Sequence, residues 1–349
     1  MSTVNTKSQY LDVLQIFRGI AALMVVVHHS VGSLKFYHKI DSPLLSFIGA
    51  VGKYGVDFFF VLSGFIIVYT AHFKYNEPNV FKDYVKNRLI RIYVPYLPIG
   101  VFMLLLYTFI PSFSNGSRDL SILTSLTLIP HGNPALSVAW TLSFELCFYL
   151  LFSVSFFSRI VWNYLVLFWV VSVLLFNYTS LHSLAFLKNP FMHVLLSPYN
   201  IEFVLGYLLA LIIVKEIRVN KFLGLIFVFF AFALFGYLKF YNLQAFSFSI
   251  NLVFAVAVFG MIYIAIVYFN KKMNKKALMM MIGNATYSIY LIHNPLQMIV
   301  IRFYPKITTS FSLISALLLV LFLSSLMGYF YYLVFEKRAI NFVKSKLLN

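Results

Sequence analysis

Apolar runs long enough to cross a bilayer recur along nearly the whole chain, and that repetition leaves few folds open. Windows of about 17–25 residues, the length of a spanning helix, fall at roughly 13–33, 48–70, 92–110, 138–157, 161–177, 199–214, 222–238, 247–269, 282–301 and 311–335. Only 11% of the 349 residues are charged and 61% are hydrophobic, whereas a soluble domain carries about 25% charged residues. The expectation is an all-α integral membrane protein of about ten transmembrane helices, forming one domain over residues 1–349 with no extra soluble domain. The fourth and fifth runs meet tightly around Arg159, and the run 120–130 is too short to span. The first run lacks a small-residue cleavage site and has Asp12 and Arg18 before its apolar core, so it reads as a retained helix rather than a signal peptide. Cys147 is the single cysteine, which excludes an intramolecular disulfide.

The net charge of +17 does not point to nucleic acid, because the basic residues collect in short loops between apolar runs. Their distribution sets an orientation instead. One set of loops holds Lys7; Lys74, Lys82, Lys86, Arg88 and Arg91; Arg159; Lys215, Arg218 and Lys221; Lys271, Lys272, Lys275 and Lys276; and Lys337, Arg338, Lys344 and Lys346. The opposite set holds fewer than half as many: Lys35, Lys39, Lys53, Arg118, Lys188, Lys239, Arg302 and Lys306. Both termini are therefore expected in the cytoplasm.

Against this background the ionisable residues inside the apolar runs stand out, since placing an arginine there costs about 2.5–3.5 kcal/mol on insertion scales. Arg18 and His29 are eleven positions apart in the first run. On a helix that spacing puts them about 20° apart around the axis and roughly 16 Å apart along it. His28 points about 80° away from Arg18. With the orientation above, His29, Asp57, Glu145, Glu202 and His293 are expected at comparable height, while Arg88 and Arg91 stay on the cytoplasmic side. Thr286, Tyr290, His293 and Gln297 form a polar stripe at helical spacing. The stretch Val80–Ile92 reads as an amphipathic interfacial helix, on which Arg88 and Arg91 are neighbours. Paired guanidiniums suit phosphate recognition.

Several segments resemble the acyltransferase family 3 membrane proteins. They are Leu11-Asp12-Val13-Leu14-Gln15-Ile16-Phe17-Arg18-Gly19 continuing to His29; Gly55-Val56-Asp57-Phe58-Phe59-Phe60-Val61-Leu62-Ser63-Gly64-Phe65; and Arg88-Leu89-Ile90-Arg91 leading to Pro95. Trp140-Thr141-Leu142-Ser143-Phe144-Glu145 and Tyr287-Ser288-Ile289-Tyr290-Leu291-Ile292-His293 complete the set. The resemblance implies a ten-helix bacterial inner-membrane enzyme that O-acylates carbohydrate, most often O-acetylating O-antigen, lipopolysaccharide or exopolysaccharide. It maps the essential histidine and arginine onto His29 and Arg18, and the paired arginine motif onto Arg88 and Arg91. His28 departs from the pattern by creating a tandem pair.

The expected donor is acetyl-CoA or another acyl-CoA, bound as a substrate through Arg18, Arg88 and Arg91, with no tightly bound cofactor and no metal. The separation of Arg18 from His29 is about the reach of its pantetheine arm. His29 is expected to act as general base on the acceptor hydroxyl, with Glu145, Asp57 and His293 as further catalytic candidates. The expected partners are a lipid-linked or polymeric carbohydrate acceptor and membrane lipid, with no nucleic acid and room for a homo-oligomer. Two alternatives stand beside this reading. Midplane ionisable residues also mark transport paths, although no inverted pairing of broken helices supports a sugar or anion transporter. The other is a transmembrane shuttle that hands its acyl group to a separate periplasmic transferase.

Overall fold

The computed structural model describes residues 11–40, 42–111, 119–179, 181, 184–241, 247–270 and 277–347. Lys7, Arg118 and the lysines of 271–276 that entered the orientation argument lie outside the described residues. Within them helices are the only regular structure apart from one isolated β-bridge between Leu120 and Asn133. Among the described residues, nine helical segments are long and apolar enough to cross a membrane.

The first run forms α1 (Asp12–His38) without a break. The second is divided at Tyr54 into α2 (Pro43–Lys53) and α3 (Gly55–His72). The amphipathic stretch and the third run are not separate elements: α4 (Val80–Phe109) continues through Pro95 and Pro98. A proline removes one helix donor and crowds the preceding turn, and neighbouring helices commonly satisfy the carbonyls this exposes. In this stretch of α4 the carbonyls of Ile92 and Pro95, one residue after those the two prolines leave without a helical donor, accept the hydroxyls of Tyr287 and Tyr331, both at 2.9 Å, and tie α4 to its neighbours. The segment 120–130 contains only α5 (Ile122–Thr127), held against α4 by the Tyr96 hydroxyl donating to the Ser125 carbonyl at 2.7 Å.

The fourth run begins with a 3₁₀ turn (Ser137–Ala139), continues as α6 (Trp140–Phe152) and ends in a second 3₁₀ turn. Ser158 then caps α7 (Arg159–Tyr178), so the division at Arg159 is a helix N-terminus. Next come the short α8 (Pro190–Leu195), then α9 (Asn200–Val214), α10 (Lys221–Phe240) and α11 (Ser247–Phe269). The run at 282–301 is broken at Ala285 into α12 (Leu278–Asn284) and α13 (Thr286–Arg302). At 1.5 Å per residue α13 is about 25 Å long, slightly short of a hydrocarbon core of about 30 Å. A Thr309 capping box starts α14 (Ser310–Tyr331), a π-helical turn (Tyr332–Glu336) follows, and α15 (Lys337–Leu347) ends the described chain.

Burial sorts these helices into an inner group and a rim. Helix α3 is buried nearly all round, whereas α10 buries only Gly224 and Phe235, and α7 and α14 present Leu167, Phe168, Phe311 and Phe322 outward. Small residues set the inner spacing: a Cβ at Gly64 would lie 2.2 Å from the Phe203 carbonyl, and one at Gly206 2.2 Å from that of Val61. Backbones this close are how helices associate where lipid removes the hydrophobic drive between them. The result is an inner set of α1, α3, α6, α9 and α13, on which the polar residues converge.

Candidate functional site

Because α1 is unbroken, the separation of about 16 Å between Arg18 and His29 survives in the fold. Helix α13 runs beside α1 in the same direction and turns its polar stripe inward: Thr286, Tyr290, His293 and Gln297 are all buried. Ser30 donates to Gln297 Oε1 at 3.2 Å, and the His29 and His293 rings lie 5.3 Å apart. Two histidines 264 positions apart in sequence thus form one pair.

The hydrogen bonds of the neighbouring imidazoles separate their roles. His28 Nδ1 lies 2.7 Å from the Gly49 carbonyl on α2. A carbonyl only accepts, so that nitrogen carries the proton and His28 ties α1 to α2. His293 Nδ1 donates in the same way to the Tyr290 carbonyl at 2.7 Å, which leaves Nε2 as the lone-pair nitrogen. That atom is buried and has no hydrogen-bond partner among the described residues. His29 is partly exposed.

The arginines meet elsewhere. A cavity of about 150 Å³ is lined by Arg18, Arg88 and Arg91, with Ser63, Thr141, Glu145, Tyr149, Thr286, Tyr287 and Tyr290 among the other walls. Arg18 Nη1 donates to Gln15 at 3.2 Å. The Arg88 guanidinium sits 5.4 Å from the Tyr149 ring centre and 5.6 Å from that of Tyr84, and donates to Thr70 Oγ1 at 3.3 Å. Arg91 lies over Tyr287 at 5.1 Å and forms an ion pair with Glu336, which also accepts from Ser288. Glu145 accepts from Ser63 at 3.3 Å and from the Tyr149 hydroxyl. Three cations and one carboxylate, Glu145, therefore line one small, aromatic-walled space, with Glu336 buried against Arg91, an arrangement suited to a polyanion with a slender apolar extension.

The expected common height of five ionisable groups does not hold. Glu145 faces Ser63, six positions further along α3 than Asp57, so it lies about 9 Å deeper and beside the arginines. Apolar windows locate a helix but not the break at Tyr54 or the turn before α6, and those offsets decide relative depth. Asp57 itself does not line the cavity, although Val56, Phe59, Phe60 and Ser63 of the same helix do. It is buried against α9 and α11, accepting from Asn251 at 2.6 Å beside Glu202. Neither His29 nor His293 lines the cavity. Among the described residues no three His, Cys, Asp or Glu side chains converge as metal ligands would.

Sequence reasoning passed over Glu336 and gave no site role to Tyr149, Tyr287 and Ser288, although all three lie in or just past the motifs that carry the resemblance. The only local sign of Glu336 was an acid closing the last apolar run, just before Lys337 and Arg338. Against known proteins, the model of the acyltransferase 3 family, described as an acyltransferase domain, matches residues 10–332. No curated protein and no solved structure matches the chain.

Proposed function

The chain belongs to acyltransferase family 3 and is a membrane acyltransferase, and from that premise we propose that it moves an acetyl or other acyl group from cytoplasmic acyl-CoA to a hydroxyl of a cell-surface glycan. The observation that carries this reading is the pairing of two sites along α1. Arg18, Arg88 and Arg91 line one cavity, and the His29–His293 pair lies about three helical turns further along. The donor's phosphates would be held by the arginines and its pantetheine arm would lie along α1, placing the thioester near His29. There the imidazole takes the proton of the acceptor hydroxyl as its oxygen attacks the thioester carbonyl. The carbon–sulfur bond breaks, and the departing thiolate takes up the proton from the imidazolium. The hydrogen bonds of Glu145 run to Ser63 and Tyr149, which assigns it to counter-charge beside Arg88 rather than to holding His29.

Deleting the gene in its host and comparing surface polysaccharide by NMR tests the acceptor class: the O-acyl signals should vanish and return on complementation. Unchanged signals would sink the glycan assignment. Reconstitution of the purified protein with acyl-CoA and glycan separates direct transfer from a shuttle, because a shuttle alone leaves the glycan unmodified.

The reading requires the arginine cavity to open to the cytoplasm. In a Cys147→Ser background, Lys188→Cys should react with a membrane-impermeant thiol reagent once the outer membrane is permeable, and Lys221→Cys should be protected until the inner membrane is lysed. The reverse pattern would place the arginines on the wrong side for a cytoplasmic donor.

A further inference from the structure

The arginine cavity and the histidine pair are neighbours, yet they are not continuous. Tyr290 lines the cavity, as does Phe59, and their rings meet edge to face with centres 5.9 Å apart. On its other side the Tyr290 ring lies 5.7 Å from that of His293, which in turn is 5.3 Å from His29. One side chain therefore stands between the space beside the arginines and the imidazoles. Its hydroxyl is 2.6 Å from Thr141 Oγ1, and both hydroxyls are 3.0 Å from the Val138 carbonyl, so one of them donates to that carbonyl and the other donates to its hydroxyl neighbour. These partners belong to the 3₁₀ turn and the first residues of α6, where Asn294 of α13 also donates to Ser137. The tether is local and made of neutral hydrogen bonds, each of modest net strength.

We propose that Tyr290 is a specificity-determining residue: it partitions the donor cavity from the histidines and keeps the thioester from water until an acceptor hydroxyl is in place. This rests on the acyl-CoA reading above. A thioester near a histidine base has two possible attackers, the acceptor hydroxyl and water, and excluding water is a recognised function of closed active sites. In the wasteful reaction a water oxygen attacks the carbonyl, the carbon–sulfur bond breaks, and the products are the free acid and the CoA thiol. A partition held by hydrogen bonds stays closed in the resting protein and opens when its tether is exchanged. On the far side His29 is partly exposed, and water that reaches the imidazole there would be activated by the same base as the acceptor hydroxyl.

The test measures acyl-CoA hydrolysis and transfer to glycan side by side in the reconstituted protein. Tyr290→Phe keeps the ring and removes the tether, and Thr141→Val removes one bond from the opposite partner. Each should raise the ratio of hydrolysis to transfer by roughly 2–10-fold, the shift that one lost hydrogen bond produces. Tyr290→Ala should raise it further, because no ring remains to close the passage. The thermal midpoint of Tyr290→Phe should stay close to that of the parent protein, so that a raised ratio does not come from general damage. General damage lowers both reactions together, so an unchanged ratio across all three variants would overturn the partition. A parent protein that consumes no acyl-CoA by either route would overturn the donor reading itself, and the proposal with it.

Discussion

Alanine at His29 is expected to lower acyl transfer by about 10²–10⁴-fold, the usual contribution of a positioned general base, whereas alanine at His28 leaves most of the rate. The two residues are adjacent and of the same type, so composition offers no reason to separate them. Helix geometry does. His29 lies about 20° from the direction of Arg18 and His28 about 80° from it, and the fold gives them different partners. His28 donates to the Gly49 carbonyl at 2.7 Å, a bond between two helices whose loss costs about 0.5–1.5 kcal/mol of stability. His29 instead faces the ring of His293.

The measurement is glycan acylation by NMR or by transfer of a labelled acyl group, normalised to protein in the membrane. His28→Ala should show a small drop in thermal midpoint with activity retained, and His29→Ala the opposite combination. His293→Ala should resemble His29→Ala, because it removes a buried imidazole whose Nε2 is the lone-pair nitrogen. Loss of activity in His28→Ala with retention in His29→Ala would refute the shared-face argument. Retention in both would remove base catalysis from α1.

What could be read from the sequence followed the distance over which each relation acts. The facing of Arg18 and His29 was legible because one helix fixes it, and the inward stripe on α13 was legible for the same reason. The motif at 55–65 marked the segment of α3 that walls the cavity, but its acid does not line it. That acid, Asp57, packs against α9 and α11, while Val56, Phe59 and Ser63 line the cavity. Depth was not legible, because a break at Tyr54 or a 3₁₀ turn before α6 shifts a side chain by several ångströms without changing hydropathy. Nor were contacts between distant segments. Nothing near Tyr290 in the sequence announces Thr141, and nothing near Arg91 announces Glu336.

That last contact makes the two arginines of the paired motif unequal, and the inequality has a large expected consequence. Arg91 is ion-paired with Glu336, whose side chain is 1% exposed, while its own is 32% exposed toward the cavity. Replacing Arg91 by alanine leaves a carboxylate buried with only the Ser288 hydroxyl to satisfy it. Removing one partner of a buried pair typically costs 3–5 kcal/mol, and the open side of Arg91 argues for the lower end, about 3 kcal/mol. Among the described residues Arg88 forms no direct ion pair: its neighbours are the Tyr84 and Tyr149 rings and the Thr70 hydroxyl, and Glu145, its counter-charge across the cavity, keeps the hydrogen bonds of Ser63 and Tyr149 when the guanidinium is removed. Arg88→Ala should therefore leave the thermal midpoint nearly unchanged and raise the KM for acyl-CoA by roughly 10–100-fold, the worth of one charged hydrogen bond. Arg91→Ala should lower the midpoint sharply, by detergent thermal-shift measurement. Adding Glu336→Gln to Arg91→Met should recover most of that midpoint, because a glutamine keeps a hydrogen bond to Ser288 without a buried charge. The double variant should still bind donor less well than the parent, since one guanidinium is gone from the cavity. Equal thermal midpoints for Arg88→Ala and Arg91→Ala would show that Glu336 is not held by Arg91, and the two arginines would again be equivalent.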